Sequence, residues 1–170
     1  LAEAAFMTGL EKNADVVLIA SYAPLFARLG YTQWQPDLIW FDGNTSYGTP
    51  SYYVQKIYSN FTGTELVDVD FDDLEKDRVY VTASKDDQHV YVKIVNAGVK
   101  DVDIDLKKIT VDGKKVINNA SEDVSVYLMR GDADDCNSIE QPQKVALTPQ
   151  IVTVTDNFKS ESASIAVILL

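Results

Sequence analysis

The hydrophobic period of the chain changes near residue 64, and that change limits the folds open to it. Beyond Glu65 the pattern has a period of two. Val79, Val81 and Ala83 alternate with Tyr80, Thr82 and Ser84, and Val90, Val92 and Ile94 alternate in the run His89 to Asn96. Such a period puts successive side chains on opposite faces of a strand. Asp86, Asp87 and Gln88 supply a polar turn between the two runs, which predicts a hairpin. Val102, Ile104 and Leu106 alternate with Asp101, Asp103 and Asp105, so the carboxylates mark the wet face of a strand, opposite lysines on a neighbour. Residues 124–130, 150–155 and 164–170 are further strand candidates. Six or more strands joined by polar turns, with no helical period between them, predict a β-sandwich of jelly-roll type.

The first 63 residues read differently. In residues 1–13, Ala2, Ala5, Phe6, Gly9 and Leu10 recur at spacings of three and four, one stripe of a helix, with Asn13 placed to end it in the left-handed conformation. Asp15 is placed to cap a second helix through VVLIASYAPLFARL, apolar almost all round as in a helix buried on several sides and interrupted at Pro24. Asp37 to Asp42, DLIWFD, has strand length. A polar loop follows, then a helix TPSYYVQKIYSNF with Thr49 as N-cap and Pro50 in the first turn. Helix, helix, strand, loop, helix suits the tail of an α/β domain. Twelve of the 17 aromatic residues and a net charge of −2 lie in residues 1–63, against a net of −9 in residues 64–170. The two parts read as different structural units.

The chain is 170 residues long with a formal charge of −11. That length forms a core without disulfides or metal, and the charge repels phosphate backbones and anionic lipid, which disfavours nucleic-acid and membrane-surface roles. One cysteine, Cys136, excludes an internal disulfide and a multi-cysteine zinc site. No apolar run approaches the roughly 18 residues a membrane span needs. Leu1 does not open a signal peptide pattern, and without an initiator methionine the chain reads as a piece of something longer.

Three stretches carry a resemblance: residues 1–27 (LAEAAFMTGLEKNADVVLIASYAPLFA), residues 34–59 (WQPDLIWFDGNTSYGTPSYYVQKIYS), and the spacing NSIEQPQKVAL at 137–147. Together they resemble the C-terminal region of α-L-arabinofuranosidases of glycoside hydrolase family 51. The resemblance implies that residues 1–62 are the final helices and last strand of a (β/α)8 barrel, and residues 63–170 an accessory β-sandwich. It further implies a parent enzyme that removes terminal α-L-arabinofuranosyl groups from arabinan and arabinoxylan with retention, without a cofactor. Its partners would be an arabinose-containing polysaccharide, the upstream barrel and further copies of the enzyme. A polysaccharide-degrading relative and acidic charge favour an exported protein.

Retention needs two carboxylates about 5–5.5 Å apart. In the family both are glutamates on earlier barrel strands, the acid/base one following an asparagine, and no Asn-Glu pair occurs here. The catalytic pair is therefore expected upstream of Leu1, and no catalytic residue is assigned in this chain. Glu3 and Glu11 sit in the first helix, as solvated or interface side chains. Loops after barrel strands build the mouth of the active site, so the resemblance makes Trp34, Gln35, Asp37, Asn44 and Tyr47 substrate-binding candidates, with Asp42 beside them. Packing between barrel and helices is the competing reading for Trp34, Trp40 and Phe41.

Asp132, Asp134, Asp135 and Glu140 invite a calcium reading, but the glycine and final spacing of an EF-hand are missing, so a solvated acidic loop is expected and no metal is assigned. His89, the only histidine, reads as an exposed residue at a strand start. Asn44, Asn60 and Asn119 begin short glycosylation patterns that matter only in a eukaryotic secreted protein. The rivals are a non-catalytic carbohydrate-binding module, which needs a row of exposed rings among Phe71, Tyr80, Tyr91, Tyr127 and Phe158, and a purely structural assembly domain.

Overall fold

The computed structural model describes residues 1–69, 74–111, 113–117, 121–132, 134–155 and 157–170. Phe71 and Asn119 lie outside the described residues.

Helix α1 spans Ala2–Lys12, built from residues with good helical propensity. Its buried stripe is not the expected one. Ala4 and Thr8 are buried and Glu11 lies a turn further on the same face, while Phe6 is 65% exposed. The choice follows from what the face meets, a polar patch on the neighbouring sheet described below. Asn13 ends α1 at φ −108, outside the left-handed region. Its side-chain amide donates to the Gly9 carbonyl at 2.7 Å and satisfies one terminal acceptor instead.

The second helix expected through residues 15–29 does not form. The chain turns at residues 13–16, continues without helix or strand through residues 17–25, and enters a short strand β1, Phe26–Arg28. Val16, Val17 and Ile19 are branched at Cβ and favour extended backbone, and Pro24 denies a helix its donor. A short all-apolar run has no period that separates buried strand from buried helix. Leu18 and Ile19 stand 85% and 88% exposed. Strand β2, Ile39–Phe41, pairs in parallel with β1, and β3, Ser46–Gly48, pairs antiparallel to β2. The loop after DLIWFD thus contains a strand that its polar composition concealed. Helix α2, Pro50–Asn60, begins as expected: the Thr49 hydroxyl accepts from the Tyr52 N–H at 3.3 Å and Pro50 opens the first turn.

The main sheet has six antiparallel strands in the order β11-β10-β13-β6-β5-β4. They span Thr148–Val154 (β11), Glu122–Arg130 (β10), Ser164–Leu169 (β13), Val90–Asn96 (β6), Val79–Lys85 (β5) and Glu65–Val67 (β4). The β5–β6 hairpin matches its sequence pattern. The Asp86 carboxylate accepts from the Gln88 and His89 N–H groups at 2.8 Å each and closes the turn. His89 is exposed.

Both faces of this sheet are covered. Val79, Val81, Ala83, Val92, Ile94, Val124, Val126, Ala166 and Ile168 face a smaller second layer that contributes Ile104, Leu106, Ile109, Ile117 and Phe158. That layer is built from β7, Val102–Asp105, paired with β12, Asn157–Ser160, and from the short pair β8, Thr110–Val111, and β9, Lys114–Lys115. As expected, a lysine meets the aspartate face: Lys159 pairs with Asp101 at 3.0 Å. The opposite sheet face carries Val95, Met129, Ile165 and Val167, which share a core with Ala4 of α1 and with Val54, Ile57 and Tyr58 of α2. Among the described residues the architecture is mainly β, a sandwich with two α-helices laid on its outer face and no closed barrel.

Gly63 lies where the chain leaves α2 for β4. A Cβ there would fall 2.1 Å from the Lys85 carbonyl oxygen, so only glycine permits this close passage.

Candidate functional site

The first α-helix and the sheet meet through polar groups. Lys93 of β6 is fully buried, and its ammonium lies 2.7 Å from Glu11 Oε1. The Ser84 hydroxyl donates to the same oxygen at 3.3 Å and accepts from the Gly63 N–H at 3.0 Å. Tyr58 donates to the Ala4 carbonyl at 3.0 Å and shares a 2.6 Å hydrogen bond with Thr8, while Lys93 lies 5.7 Å from its ring centre. Burial pulls Lys93 below the usual lysine range, and Glu11 opposes that shift. Burial also pushes the Tyr58 hydroxyl well above the usual phenol range. This is a buried structural network in which Glu11 Oε1 takes the contacts and Oε2 has no hydrogen-bond partner among the described residues. Sequence reading placed Glu11 in a helix as a solvated or interface residue and missed its partner, because Lys93 looks like any polar strand position.

The NSIEQPQKVAL segment is anchored by buried Asn137. Its amide donates to the carbonyls of Gly48 at 2.8 Å and Val145 at 2.9 Å, and its oxygen accepts from the Val145 N–H at 2.8 Å. The segment is thereby held against β3. Gly48 fits there because a Cβ would sit 2.3 Å from the Tyr52 ring. Asp135 pairs with Lys144 at 2.7 Å and accepts from the Asp132 N–H at 3.0 Å, and both contacts hold it below the usual carboxylate range. Among the described residues, no group of three or more potential ligands is placed to hold a metal.

The candidates of the 31–47 region do not converge. Trp34 is 61% exposed and Gln35 is exposed beside it. Asp37 is buried and accepts from the Thr32 hydroxyl at 3.4 Å, while its carbonyl accepts from the Trp40 indole at 3.3 Å. Asn44 is exposed at the tip of the turn before β3. Asp42 closes that turn, accepting from the N–H groups of Asn44 and Thr45 at 2.7 and 2.8 Å, which keep its carboxyl below the usual range. Tyr47 sits opposite Trp40 across the β2–β3 pair.

Tyr47 does line a groove of about 280 Å³ with Ile39, Tyr52, Tyr53, Pro142 and Gln143; Trp34, Gln35 and Asn44 do not. Tyr52 and Tyr53 meet edge to face at 5.2 Å. Partial burial raises the Tyr47 and Tyr53 hydroxyls above the usual phenol range, and no hydrogen bond from another described residue opposes it. Sequence reading found Tyr47 but not the groove, since Pro142 and Gln143 arrive from about 90 residues away.

Fold and contacts define the class: an antiparallel sandwich domain that shares a core with the helices preceding it. A family model described as the α-L-arabinofuranosidase C-terminal domain matches residues 1–164. An extracellular exo-α-L-arabinofuranosidase of Streptomyces chartreusis is 57% identical over 67 residues, 39% of this chain and 8% of that protein. α-L-Arabinofuranosidase 1 of Arabidopsis thaliana is 34% identical over 151 residues, 85% of this chain and 22% of that protein. In fold, an arabinose-bound GH51 α-L-arabinofuranosidase matches 98% of this chain and 26% of its own, with a TM-score of 0.79 at 24% identity. The arabinose complex of the Thermotoga maritima enzyme matches 98% of this chain and 37% of its own, with a TM-score of 0.68 at 21% identity. The chain belongs to the α-L-arabinofuranosidase C-terminal domain family. It spans about a quarter or less of the curated relatives just named.

Proposed function

We propose that this chain is the non-catalytic C-terminal part of an α-L-arabinofuranosidase. In this reading residues 1–62 complete a (β/α)8 barrel and residues 63–170 form the accessory sandwich that stabilises it. The parent enzyme removes terminal non-reducing α-L-arabinofuranosyl groups from arabinan and arabinoxylan with retention of configuration. Two upstream glutamates act as acid/base and nucleophile. The observation that carries the reading is the family match along residues 1–164.

Three features of the molecule support it. The β1–β2 pair is parallel, and a three-residue parallel pair at the rim of an antiparallel domain suits a strand whose further neighbours lie in another part of a barrel. Phe26 of that pair, and Val16, Leu18 and Ile19 in the segment before it, expose apolar surface, as a barrel remnant would. Most glutamates already have partners: Glu3 with Gln55, Glu11 with Lys93, Glu65 with Lys85, Glu75 with Lys12 and Glu161 with Arg130. Trp34, Gln35 and Asn44, exposed beside β2 and β3, remain the residues of this chain proposed to face the substrate, with Asp37 behind them and Tyr47 at the strand pair.

The test is an antibody raised against this chain, applied to lysate and culture medium of the source. A band well above 18.9 kDa that cleaves an aryl α-L-arabinofuranoside, while the isolated chain does not, is the expected result. A native band at 18.9 kDa, or cleavage by the isolated chain, would overturn it.

A further inference from the structure

The groove between β3, the first turn of α2 and the Asn137-anchored segment has the chemistry of a carbohydrate site. Its walls are the rings of Tyr47, Tyr52 and Tyr53 with Pro142, and the exposed Gln143 side chain supplies an amide that both donates and accepts. Rings present flat apolar faces to the C–H face of a sugar, and the Tyr47 and Tyr53 hydroxyls, which have no hydrogen-bond partner among the described residues, can take up sugar hydroxyls. The walls are rigid. Asn137 ties the segment to β3 through Gly48, and α2 is capped by Thr49 directly beside the groove. A groove of about 280 Å³ lies just below the range of small-molecule pockets, roughly 300–1,000 Å³, which suits one or two small rings. The neighbouring Glu140 and the chain charge of −11 repel anions, which disfavours an acidic sugar as the occupant.

We propose that this groove is an accessory site for a neutral pentose oligosaccharide, separate from the residues assigned above to the substrate mouth except at Tyr47. The choice of pentose rests on the proposed arabinofuranosidase function. The groove would hold a neighbouring stretch of the polysaccharide while another part is cleaved.

The experiment is a titration of the isotope-labelled chain with arabino-oligosaccharides and, separately, xylo-oligosaccharides, followed by amide chemical shifts. The expected result is saturable shifts at Tyr47, Tyr52, Tyr53 and Gln143 with at least one of the two sugars. Arabino-oligosaccharide binding would identify the side chain as the occupant, and xylo-oligosaccharide binding the backbone of the polymer. Tyr53→Phe combined with Gln143→Ala removes one hydroxyl and one amide without disturbing the core, and should weaken binding at least about fivefold. In the parent enzyme the same double variant should leave cleavage of an aryl α-L-arabinofuranoside unchanged and raise KM on polymer. Saturable binding by neither sugar, or binding unaffected by the double variant, would overturn the proposal. An enzyme that fails to cleave the aryl substrate at all would instead refute the proposed function, and the titration would still decide the groove.

Discussion

Replacing Glu11 by alanine strands the Lys93 ammonium inside the interface between α1 and the sheet. At 2.7 Å the pair attracts by about 6 kcal/mol if the effective dielectric constant is ~20. Desolvating each ion costs several kcal/mol, so the intact pair stands near balance against apolar side chains of the same size. Breaking it leaves one side uncompensated. With Lys93 fully buried and Glu11 10% exposed, we expect Glu11→Ala to destabilise the chain by about 3–5 kcal/mol. The joint replacement Glu11→Leu with Lys93→Met should recover most of that loss. Urea unfolding of wild type, both single variants and the double variant, followed by circular dichroism, closes the cycle.

The pH dependence supplies a second reading of the same pair. Burial, the larger cause, lowers Lys93 from its ordinary 10.5, so the folded chain binds fewer protons there than the unfolded chain in the window just below that value. Stability from this group therefore rises with pH through the window. Glu11→Ala removes the opposing attraction and widens the window, so the variant's deficit should shrink as pH rises from about 7 towards 10. A loss below about 1 kcal/mol at neutral pH, or a deficit independent of pH, would refute the reasoning.

Asn137→Ala removes three hydrogen bonds and leaves the buried Val145 amide unpaired; we expect a loss of about 2–4 kcal/mol in urea unfolding, with Asn137→Asp failing to rescue because it cannot donate. Thr49→Ala removes the α2 cap and the hydroxyl bond to the Leu38 carbonyl, and should cost about 1–2 kcal/mol in the same assay. Ile19→Asp, at an 88% exposed position, should change the stability of the isolated chain by less than about 0.5 kcal/mol. In the proposed parent enzyme the same change should lower Tm measurably, because residue 19 would then be covered. Equal, near-zero effects in both would count against the barrel assignment.

Much of the sandwich was legible because its strands obey one local rule. Alternation in 79–85 and 90–96 gave the hairpin, and Asp86 gave its turn, through interactions a few residues apart. The lysine expected opposite the aspartate face proved to be Lys159, in register with Asp103 and ion-paired with Asp101. The helix expected in residues 15–29 was wrong because an all-apolar run leaves helix and buried strand indistinguishable, and only its neighbours choose between them. The α1 stripe was misplaced for a related reason. Amphipathic arithmetic ranks Phe6 and Leu10 above Thr8 and Glu11, yet the sheet presents Ser84 and Lys93 to the helix, and polar groups select polar partners.

The candidate site divides in the same way. Tyr47 was readable from a local motif, whereas its groove depends on Pro142 and Gln143, brought there by Asn137. Asp42 looked available to a ligand and is instead closed into its own turn. By itself, then, the sequence determined the strand-rich second part, the capped helix after Thr49 and the family resemblance, because period, caps and runs of matching residues are local properties. The tertiary structure alone decided which helix face is buried, that Lys93 and Glu11 meet, and that three tyrosines share a groove with a distant segment. Those outcomes depend on which surfaces exclude water together, and no window along the chain contains that information.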